Sequence, residues 1–172
     1  MDHANSATAT DDARDRFAQL LREHHGIVAT VAASYCRDPH DRADLGQEIA
    51  AQLWRAWPRY DPARAFPTWM YRIALNVAIS HVRGAGLRAR HSVQLDEALH
   101  DTADPNPRDP QAEQQVRALY RFIHAQRPLD RALLLLHLDD RSHREMAAIL
   151  GLSETNVATK ISRLRQRIRT EL

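Results

Sequence analysis

The stretch from Arg141 to Leu172, RSHREMAAILGLSETNVATKISRLRQRIRTEL, has the clearest local signals of helix ends in the chain. Ser142 and Glu145 have the spacing of a capping box, in which a serine begins a helix and a glutamate hydrogen-bonds back to it. Gly151 stands where a left-handed glycine ends a helix, and Ser153 is placed to begin the next one. The stretch therefore predicts two helices joined by a glycine turn, a helix-turn-helix.

The second of these helices has an apolar stripe and an opposite polar face. The stripe recurs at helical intervals, through Val157, Ile161, Leu164 and Ile168. The opposite face carries hydroxyl, amide and guanidinium groups: Thr155, Thr159, Ser162, Arg163 and Gln166, with Asn156 and Lys160 beside them. Such a helix suits the major groove of duplex DNA. The alternative is an amphipathic hairpin with a solvated face; the glycine turn and the cap spacing favour DNA binding.

Charge is spread unevenly along the 172 residues, although the net charge of the whole chain is only +2. From residue 141 onward, seven Arg and Lys residues face three Glu residues. Between residues 94 and 113, six acidic residues face a single Arg. This asymmetry indicates one region that binds a polyanion and another that avoids or imitates one.

Composition and motifs argue against several other classes of protein. Cys36 is the only cysteine, so neither an intrachain disulfide nor a cysteine-rich zinc site is expected. The chain lacks an apolar run of membrane-spanning length and a signal peptide, which predicts a cytoplasmic protein without membrane insertion. The acidic stretch could suggest a metal-dependent nuclease, but it contains Pro and Gly and cannot preorganise ligands. We therefore expect no enzyme activity, no cofactor, no metal site and no small-molecule substrate.

Helical periodicity along the chain, without strand-like alternation, predicts an all-α fold. Its organisation is two small helical domains, residues 13–87 and 113–172, joined by an acidic flexible linker at 88–112. Residues 1–12 are small and polar and are predicted to be disordered.

Three helices are predicted in the first domain, over residues 14–35, 42–57 and 66–83. Gly26 is expected to kink the first of them. Asp41 is the predicted N-cap of the second. Gly84 and Gly86 are expected to end the third.

Two polar faces of the first domain are candidate binding surfaces. The helix over residues 66–83 has an apolar stripe that includes Tyr71 and Leu75, which we assign to the core. Its opposite stripe combines an aromatic ring with cationic and polar groups: Trp69, Arg72, Asn76, Ser80 and Arg83. Such groups suit unstacked bases and phosphates, although Trp69 alone is equally well explained by packing against a neighbouring helix.

The helix over residues 42–57 presents Asp44, Gln47, Glu48, Gln52 and Arg55 opposite its apolar side. That face is either solvated or a docking surface for a basic partner.

Together these segments resemble the sigma-70 family of bacterial RNA polymerase sigma factors, specifically the extracytoplasmic-function (ECF) group. The strings DLGQE at 44–48 and LWRA at 53–56 resemble the helix that binds core polymerase, and FPTWMYRIALN at 66–76 resembles the segment that melts and reads the minus-ten element. The helix-turn-helix resembles the domain that reads the minus-thirty-five element. The resemblance covers residues 14–83 and 113–170, as region 2-like and region 4-like domains.

The resemblance implies a role for each face. Core polymerase would contact Asp44, Gln47, Glu48 and Arg55. The unwound minus-ten strand would lie along Trp69, Arg72, Asn76 and Arg83, with the loop over residues 60–65 receiving a flipped base. The minus-thirty-five element would be read by Asn156, Thr159, Lys160 and Arg163. Ala158 and Ser80 depart from the residues common in the family, a basic residue and Asp respectively.

The function implied by the resemblance is promoter-specific transcription initiation, with core RNA polymerase and promoter DNA as partners. Many family members are held inactive by an anti-sigma factor, which adds a further candidate partner. The alternative is another helix-turn-helix regulator, whose first domain senses a ligand or a partner.

Overall fold

The structure is a computed structural model that describes the backbone of residues 3–89 and 110–171, and side chains within 12–84 and 111–171. The described residues form α-helices and one short 3-10 helix, Trp57–Arg59, and contain no strand. The predicted all-α fold is confirmed. The helices are α1 His3–Glu23, α2 His25–Tyr35, α3 Pro39–Ala56, α4 Phe66–Ala89, α5 Pro110–Ala125, α6 Pro128–Leu138, α7 His143–Leu150 and α8 Glu154–Glu171.

The N-terminal domain is built around the apolar side of α3, which packs against α2 and α4. Leu45, Ile49 and Leu53 of α3 are completely buried. Helix α1 lies beside this core, where the ring of Phe17 is 5.2 Å from that of Trp54 and 5.3 Å from that of Trp57. The apolar side of α3 is therefore buried in the core, and its polar side faces solvent.

Helix α3 begins earlier than the sequence predicted, and the prediction of Asp41 as its cap is wrong. The cap is Asp38, whose carboxylate accepts hydrogen bonds from the backbone N–H groups of His40 and Asp41. These hydrogen bonds hold the pKa of Asp38 below its ordinary value. The reason is Pro39: its fixed φ and missing N–H suit the first helical position, so the cap falls one residue before it.

Three other predicted boundaries also differ. In place of the single helix with a kink at Gly26, the structure has two helices separated at His24, and Gly26 is part of α2. Helix α4 continues through Gly84 and Gly86 to Ala89, because glycine inside a helix costs only about 1 kcal/mol relative to alanine and does not forbid it. Helix α1 begins at His3, so the backbone of residues 3–12 is helical where disorder was predicted.

The C-terminal domain packs α6 between the helix-turn-helix and α5. Residues 132–136 of α6 are buried. The predicted apolar stripe of α8 is buried at Val157, Ile161 and Leu164, and α8 packs against α6. The capping box at Ser142 is present, and Gly151 has the left-handed φ of 67° that the turn requires. Helix α8 is tied to the end of α5 because Arg167 Nη1 donates to Gln126 Oε1 at 2.6 Å.

The two domains are in contact through the N-terminal domain's α2 and α4 and the C-terminal domain's α5, α6 and α7. At one point the hydroxyl of Tyr35 donates a hydrogen bond of 2.6 Å to the carbonyl of Pro128. Of the predicted linker, residues 88–89 and 110–112 belong to α4 and α5. Residues 90–109 lie outside the described residues, so the predicted flexibility of the linker stays a prediction.

Candidate polymerase-binding and nucleic-acid interfaces

The polar side of α3 is the first candidate surface. Asp44, Gln47, Glu48 and Arg55 are all exposed there, opposite the buried stripe of the same helix. Glu48 Oε2 lies 3.5 Å from His81 Nδ1 of α4, an ion pair when the imidazole is protonated. The sequence correctly predicted that these four residues share one face, because helical periodicity alone determines which side of a helix a residue occupies.

Trp54 belongs to the same exposed face of α3. Its exposure to solvent was not predicted from the sequence. Its side chain is 45% exposed although it stands beside the ring of Phe17. Trp54 follows Gln47 by seven residues, so the two share a stripe on the helix. A large exposed aromatic ring beside polar groups is typical of the anchor residue of a protein interface. Its seven-residue spacing from Gln47 was the signal that could have revealed it.

The second candidate surface is the polar stripe of α4. Arg72, Asn76 and Arg83 are exposed along it, with Ser80 between the last two. Two guanidinium groups and an amide on one exposed stripe can bind phosphates and the hydrogen-bonding edges of unpaired bases.

Trp69 is placed differently from the rest of its stripe. It is partly buried in an aromatic cluster, with its ring 4.9 Å from that of Tyr60 and 5.4 Å from that of Phe66. Packing against neighbouring aromatic residues, the alternative considered from the sequence, therefore describes this side chain. Trp69 stands in the first turn of α4, close to the loop that precedes the helix.

The loop over residues 60–65 is braced by its own hydrogen bonds. Tyr60 donates from its hydroxyl to the carbonyl of Arg64 at 2.7 Å, and Asp61 accepts from the backbone N–H of Ala63 at 3.0 Å. The ring of Tyr60 also stacks on Trp57 at 5.2 Å. The loop is thus held in one shape at the start of α4 and exposes its residues 61–65 to solvent.

The third candidate surface is the outer face of α8. Asn156, Thr159 and Arg163 are exposed on it. The hydroxyl of Ser153 accepts the backbone N–H of Asn156 at 3.2 Å, which confirms Ser153 as the cap that starts this helix. Lys160 is different: it is partly buried, and its ammonium lies 3.5 Å from Asp130 Oδ1 of α6.

Side chains that hold a metal ion are not grouped in the described parts of the chain. Within them, no three His, Cys, Asp or Glu residues lie close enough to bind one. Cys36 is buried, and burial raises the pKa of its thiol to about 11. None of the described helices has the length and apolar composition needed to cross a membrane.

Comparison with known proteins places both domains in one family. Residues 20–88 match the family profile of sigma-70 region 2, and residues 117–168 match that of sigma-70 region 4. The ECF RNA polymerase sigma factor SigE of Mycolicibacterium smegmatis is 29% identical over 168 residues, which span 96% of this chain and 65% of that protein. The RNA polymerase sigma factor CnrH of Cupriavidus metallidurans is 28% identical over 97% of this chain and 92% of its own length.

A solved structure shows the same fold. The sigma factor RpoE of Bartonella quintana, crystallised in complex with the anti-sigma factor NepR, superimposes with a TM-score of 0.73 at 20% identity. The match covers 90% of this chain and 95% of that one. The two regions follow each other in the order that the sequence resemblance implied, one on each helical domain. The chain therefore belongs to the sigma-70 family of RNA polymerase sigma factors, and within it to the extracytoplasmic-function group.

Proposed function

We propose that this chain binds core RNA polymerase and directs promoter-specific transcription initiation, by reading minus-thirty-five and minus-ten elements and aiding the melting of DNA. The observation that carries the proposal is the exposed stripe of Arg72, Asn76 and Arg83 on α4, in the domain that matches region 2. The chain itself catalyses no reaction in this account, because the polymerase supplies the chemistry.

The α3 face is the proposed surface for core polymerase. Asp44 and Glu48 supply negative charge, and Gln47 and Arg55 supply hydrogen bonds, all from exposed positions. Trp54 adds an apolar anchor on the same side of the helix. A partner with basic groups around an apolar pocket is complementary to this surface, since charge steers association and buried aromatic rings supply much of the affinity.

The α4 stripe and the neighbouring loop form the proposed minus-ten site. Arg72 and Arg83 bind phosphates of the displaced strand, and Asn76 hydrogen-bonds an unpaired base. The edge of Trp69 and the braced loop border the place where a flipped base is received. Preference for unpaired over paired bases then drives melting, and stacking of one base on an aromatic ring is worth roughly 1–3 kcal/mol.

The exposed face of α8 is the proposed minus-thirty-five reader. Asn156, Thr159 and Arg163 lie on the exposed face of a helix that is capped at Ser153, with the helix-turn-helix geometry that places such a face in the major groove. Lys160 lies beside them, and we expect it to contribute less to DNA binding than Arg163, because its ammonium is already paired with Asp130.

The proposed site of action is the cytoplasm, where core polymerase and promoter DNA are found. An anti-sigma factor is a further proposed partner, supported by the matching RpoE structure, which was crystallised with one. Neither a cofactor nor a small-molecule substrate is needed for this function.

Co-purification with core RNA polymerase tests the proposal. The full chain, carrying an affinity tag, should retain purified core polymerase in a pull-down, and the complex should withstand gel filtration. A helix-turn-helix regulator of another kind would bind duplex DNA but not the polymerase. Retention of DNA without retention of polymerase would therefore contradict the proposed function.

A further inference from the structure

The turn between α5 and α6 contains a buried amide, that of Gln126. Its side chain is only 4% exposed, although glutamine is found mostly at protein surfaces. Both ends of the amide are hydrogen-bonded: Nε2 donates to the carbonyl of Phe122 at 2.9 Å, and Oε1 accepts from Arg167 Nη1 of α8 at 2.6 Å. The backbone carbonyl of Gln126 accepts from Arg131 Nε at 2.9 Å. Gln126 is therefore fixed by its neighbours and offers α8 one acceptor in a set position.

Arg167 reaches this acceptor from α8, and its guanidinium is oriented by two further contacts. Its Nε and Nη2 atoms each donate to Glu171 Oε1 at 3.2 Å, and the group lies 5.6 Å from the centroid of the Phe122 ring. A planar guanidinium, whose donors point in fixed directions, constrains the position of its helix more than a flexible ammonium would. The link between Arg167 and Gln126 is therefore directional.

A second polar link joins the same two parts of the domain. The ammonium of Lys160 lies 3.5 Å from Asp130 Oδ1, and Asp130 follows Gln126 by four residues. Lys160 and Arg167 are seven residues apart, so they share one stripe of α8 and are separated by about 10 Å along its axis. The pairs Lys160–Asp130 and Arg167–Gln126 form a two-point contact, along a stripe between the buried side of α8 and its outer face.

The buried side of α8 is apolar where it packs against α6. Val157, Ile161 and Leu164 are buried there, and the buried run of α6 is Ala132 followed by four leucines. Apolar contact is non-directional, and surfaces made mostly of leucine specify a single packing arrangement poorly. A buried polar group can fix what such surfaces leave open, as a buried asparagine fixes the register of a coiled coil. The two-point contact is placed to fix the rotation of α8 about its own axis.

The rotation of α8 matters because the proposed base-reading groups lie on the same helix. Arg163, on the outer face, lies along the helix between Lys160 and Arg167. With side chains an α-helix has a radius of about 5–6 Å, so a rotation of about 20° moves a surface group by about 2 Å. A hydrogen bond to a base edge does not survive such a shift, whereas attraction to phosphates depends mainly on charge. Rotation therefore removes sequence specificity before it removes affinity for DNA.

We propose that Gln126 and Arg167 are positioning residues that set the rotation of α8, and thereby the sequence specificity of minus-thirty-five reading, without contacting bases themselves. The inference rests on the proposed function of α8. Gln126 is buried in the turn between α5 and α6, and the Nε, Nη1 and Nη2 atoms of Arg167 all donate within the protein. A change at either residue reduces discrimination between promoters, and binding of core polymerase is retained.

Competition between two promoters tests this with the full chain bound to core polymerase. The promoters differ only at the minus-thirty-five element: one carries the sequence that the parent chain selects from a randomised library, and the other a scrambled sequence. The specificity ratio is the affinity for the first divided by the affinity for the second. Gln126→Leu, which removes the acceptor at similar volume, should lower this ratio at least about fivefold, since one good base contact discriminates by roughly five- to a hundredfold. Its affinity for the scrambled promoter should be unchanged, because phosphate binding is retained.

Arg167→Gln should lower the specificity ratio by a similar factor, and combining it with Gln126→Leu should lower it no further, because both changes remove the same interaction. The matched control is Arg165→Gln, which removes the same charge from an exposed position of α8 and should leave the ratio unchanged. Gln126→Glu keeps an acceptor oxygen for Arg167 and should keep the ratio of the parent chain. Circular dichroism confirms that each variant is folded; if Gln126→Leu is not, Arg167→Gln, at an exposed position, decides alone.

A parent chain that does not distinguish the two promoters would overturn the proposed reading of a minus-thirty-five element, and with it this inference. A parent chain that distinguishes them, with Gln126→Leu and Arg167→Gln variants that do so equally well, would overturn the positioning role alone. An equal fall in the ratio for Arg165→Gln would also overturn it, because the charge of α8 rather than its contact with Gln126 would then be responsible.

Discussion

Lys160 and Arg163 stand one turn apart on α8, and their surroundings differ. Arg163 is exposed, whereas Lys160 is partly buried with its ammonium 3.5 Å from the carboxylate of Asp130. A cation that is already paired within its own domain contributes less to the free energy of DNA binding, because it exchanges one favourable contact for another. The two residues, equivalent in the sequence, are therefore unequal in the proposed minus-thirty-five site.

We expect Arg163→Ala to weaken binding to a minus-thirty-five duplex more than Lys160→Ala does. Loss of a base contact should cost about 1–3 kcal/mol and relax specificity at one position, whereas loss of a phosphate contact should weaken all sequences alike. Fluorescence anisotropy over a series of duplexes and salt concentrations measures both effects. Equal losses for the two variants would show that the pairing with Asp130 does not matter in the complex.

Asn76 is the best single-residue probe of melting, because it is exposed and its removal disturbs no packing. Asn76→Ala should harm transcription most on closed duplex promoters. A template with a melted minus-ten bubble should restore part of the activity, since unpairing no longer has to be driven by the protein. Permanganate footprinting of unpaired thymines reports melting directly, with Gln19→Ala as an exposed control in α1. Normal footprints for a folded Asn76→Ala chain would remove this residue from the mechanism.

At the scale of single residues, the capping box of α7 was predictable from the sequence because its two partners are close along the chain. Ser142 and Glu145 are three residues apart, and both hydrogen bonds of the box are present. The partner of Lys160 is 30 residues away, and the sequence carries no signal for it. For Trp69 the sequence allowed two interpretations, contact with DNA bases or packing against a neighbouring helix, because both require an aromatic ring at that position.

At the scale of elements, each helix depends on its ends and on the division between its two sides. Helix α7 has only eight residues, Gly151 and the Ser142 box fix its limits, and its buried side is Met146, Ala147 and Ile149. A helix this short has little intrinsic stability, so its capping interactions matter more than they would in a long helix. Helix α8, the proposed reader of the minus-thirty-five element, is positioned by its packing against α7. The position of α7 in turn depends on the interactions that cap its two ends.

Ser142→Ala should destabilise the C-terminal helices by about 1 kcal/mol, because it removes the side chain that accepts the N–H of Glu145. Ser162→Ala, at an exposed position in the middle of α8, should change stability by less than about 0.5 kcal/mol. Urea denaturation followed by circular dichroism measures both variants. Equal stability of the two would show that the capping box contributes nothing measurable.

Reversal of charge on α3 tests the proposed polymerase surface. The double variant Asp44→Arg with Glu48→Arg should abolish retention of core polymerase while helix content stays unchanged, because both side chains are exposed. The matched control is Asp12→Arg with Asp15→Arg, which makes the same change of net charge on the exposed side of α1. A pull-down in which both double variants bind polymerase equally would contradict the assignment.

Helix positions were largely predictable, and helix ends were not. The periodicity of α3, α4 and α8 identified their buried and exposed sides correctly. The errors arose where two local signals competed: Pro39 moved the cap to Asp38, and the helix-forming residues after Gly86 carried α4 past both glycines. Local propensities differ by about 1 kcal/mol or less, so neighbouring context decides such cases.

At the scale of the whole molecule, the domain contact was not predictable. Tyr35 and Pro128 are 93 residues apart, and a tyrosine that meets a backbone carbonyl leaves no pattern in the sequence. Tyr71 looked like an ordinary core residue because it shares a stripe with Leu75, but the guanidinium of Arg141 in the other domain lies 5.6 Å from its ring centroid. The predicted order of two helical domains is confirmed, whereas their packing against each other emerged only from the structure.

The domain contact should be sensitive to acid through His124. This imidazole is on α5, against the backbone of Ala33 in α2, with Arg131 of α6, Arg42 of α3 and Arg37 nearby. Burial first, and then these guanidinium groups, lower its pKa from 6.5 to about 4. A closed form, in which the two domains are in contact, therefore binds fewer protons than an open form, in which they are apart and His124 has its ordinary pKa. Its stability is fully present above pH 6.5 and decreases as the pH falls below that value.

At pH 5.5 the closing constant should be lower by at most about tenfold than at pH 7.5, the limit in which the whole shift arises from closing. Fluorescence energy transfer between dyes on cysteines introduced at the exposed positions Arg59 and Arg169, in a Cys36→Ala background, measures the closing constant across that range. His124→Gln, which cannot gain the proton, should remove most of the dependence. A closing constant that is flat with pH in the parent chain, or equally steep in the His124→Gln variant, would contradict this role of the imidazole.

Transcription by a reconstituted polymerase is the direct test of whether this chain directs promoter-specific initiation. Purified core RNA polymerase, the full chain and a library of duplex promoters randomised at the minus-ten and minus-thirty-five positions are combined in a run-off assay. We expect transcripts only when the chain is present, from a subset of promoters that share one sequence at each element with a fixed spacing between them. Core polymerase that gives the same transcripts with and without the chain, or transcripts that share no sequence at either element, would contradict it.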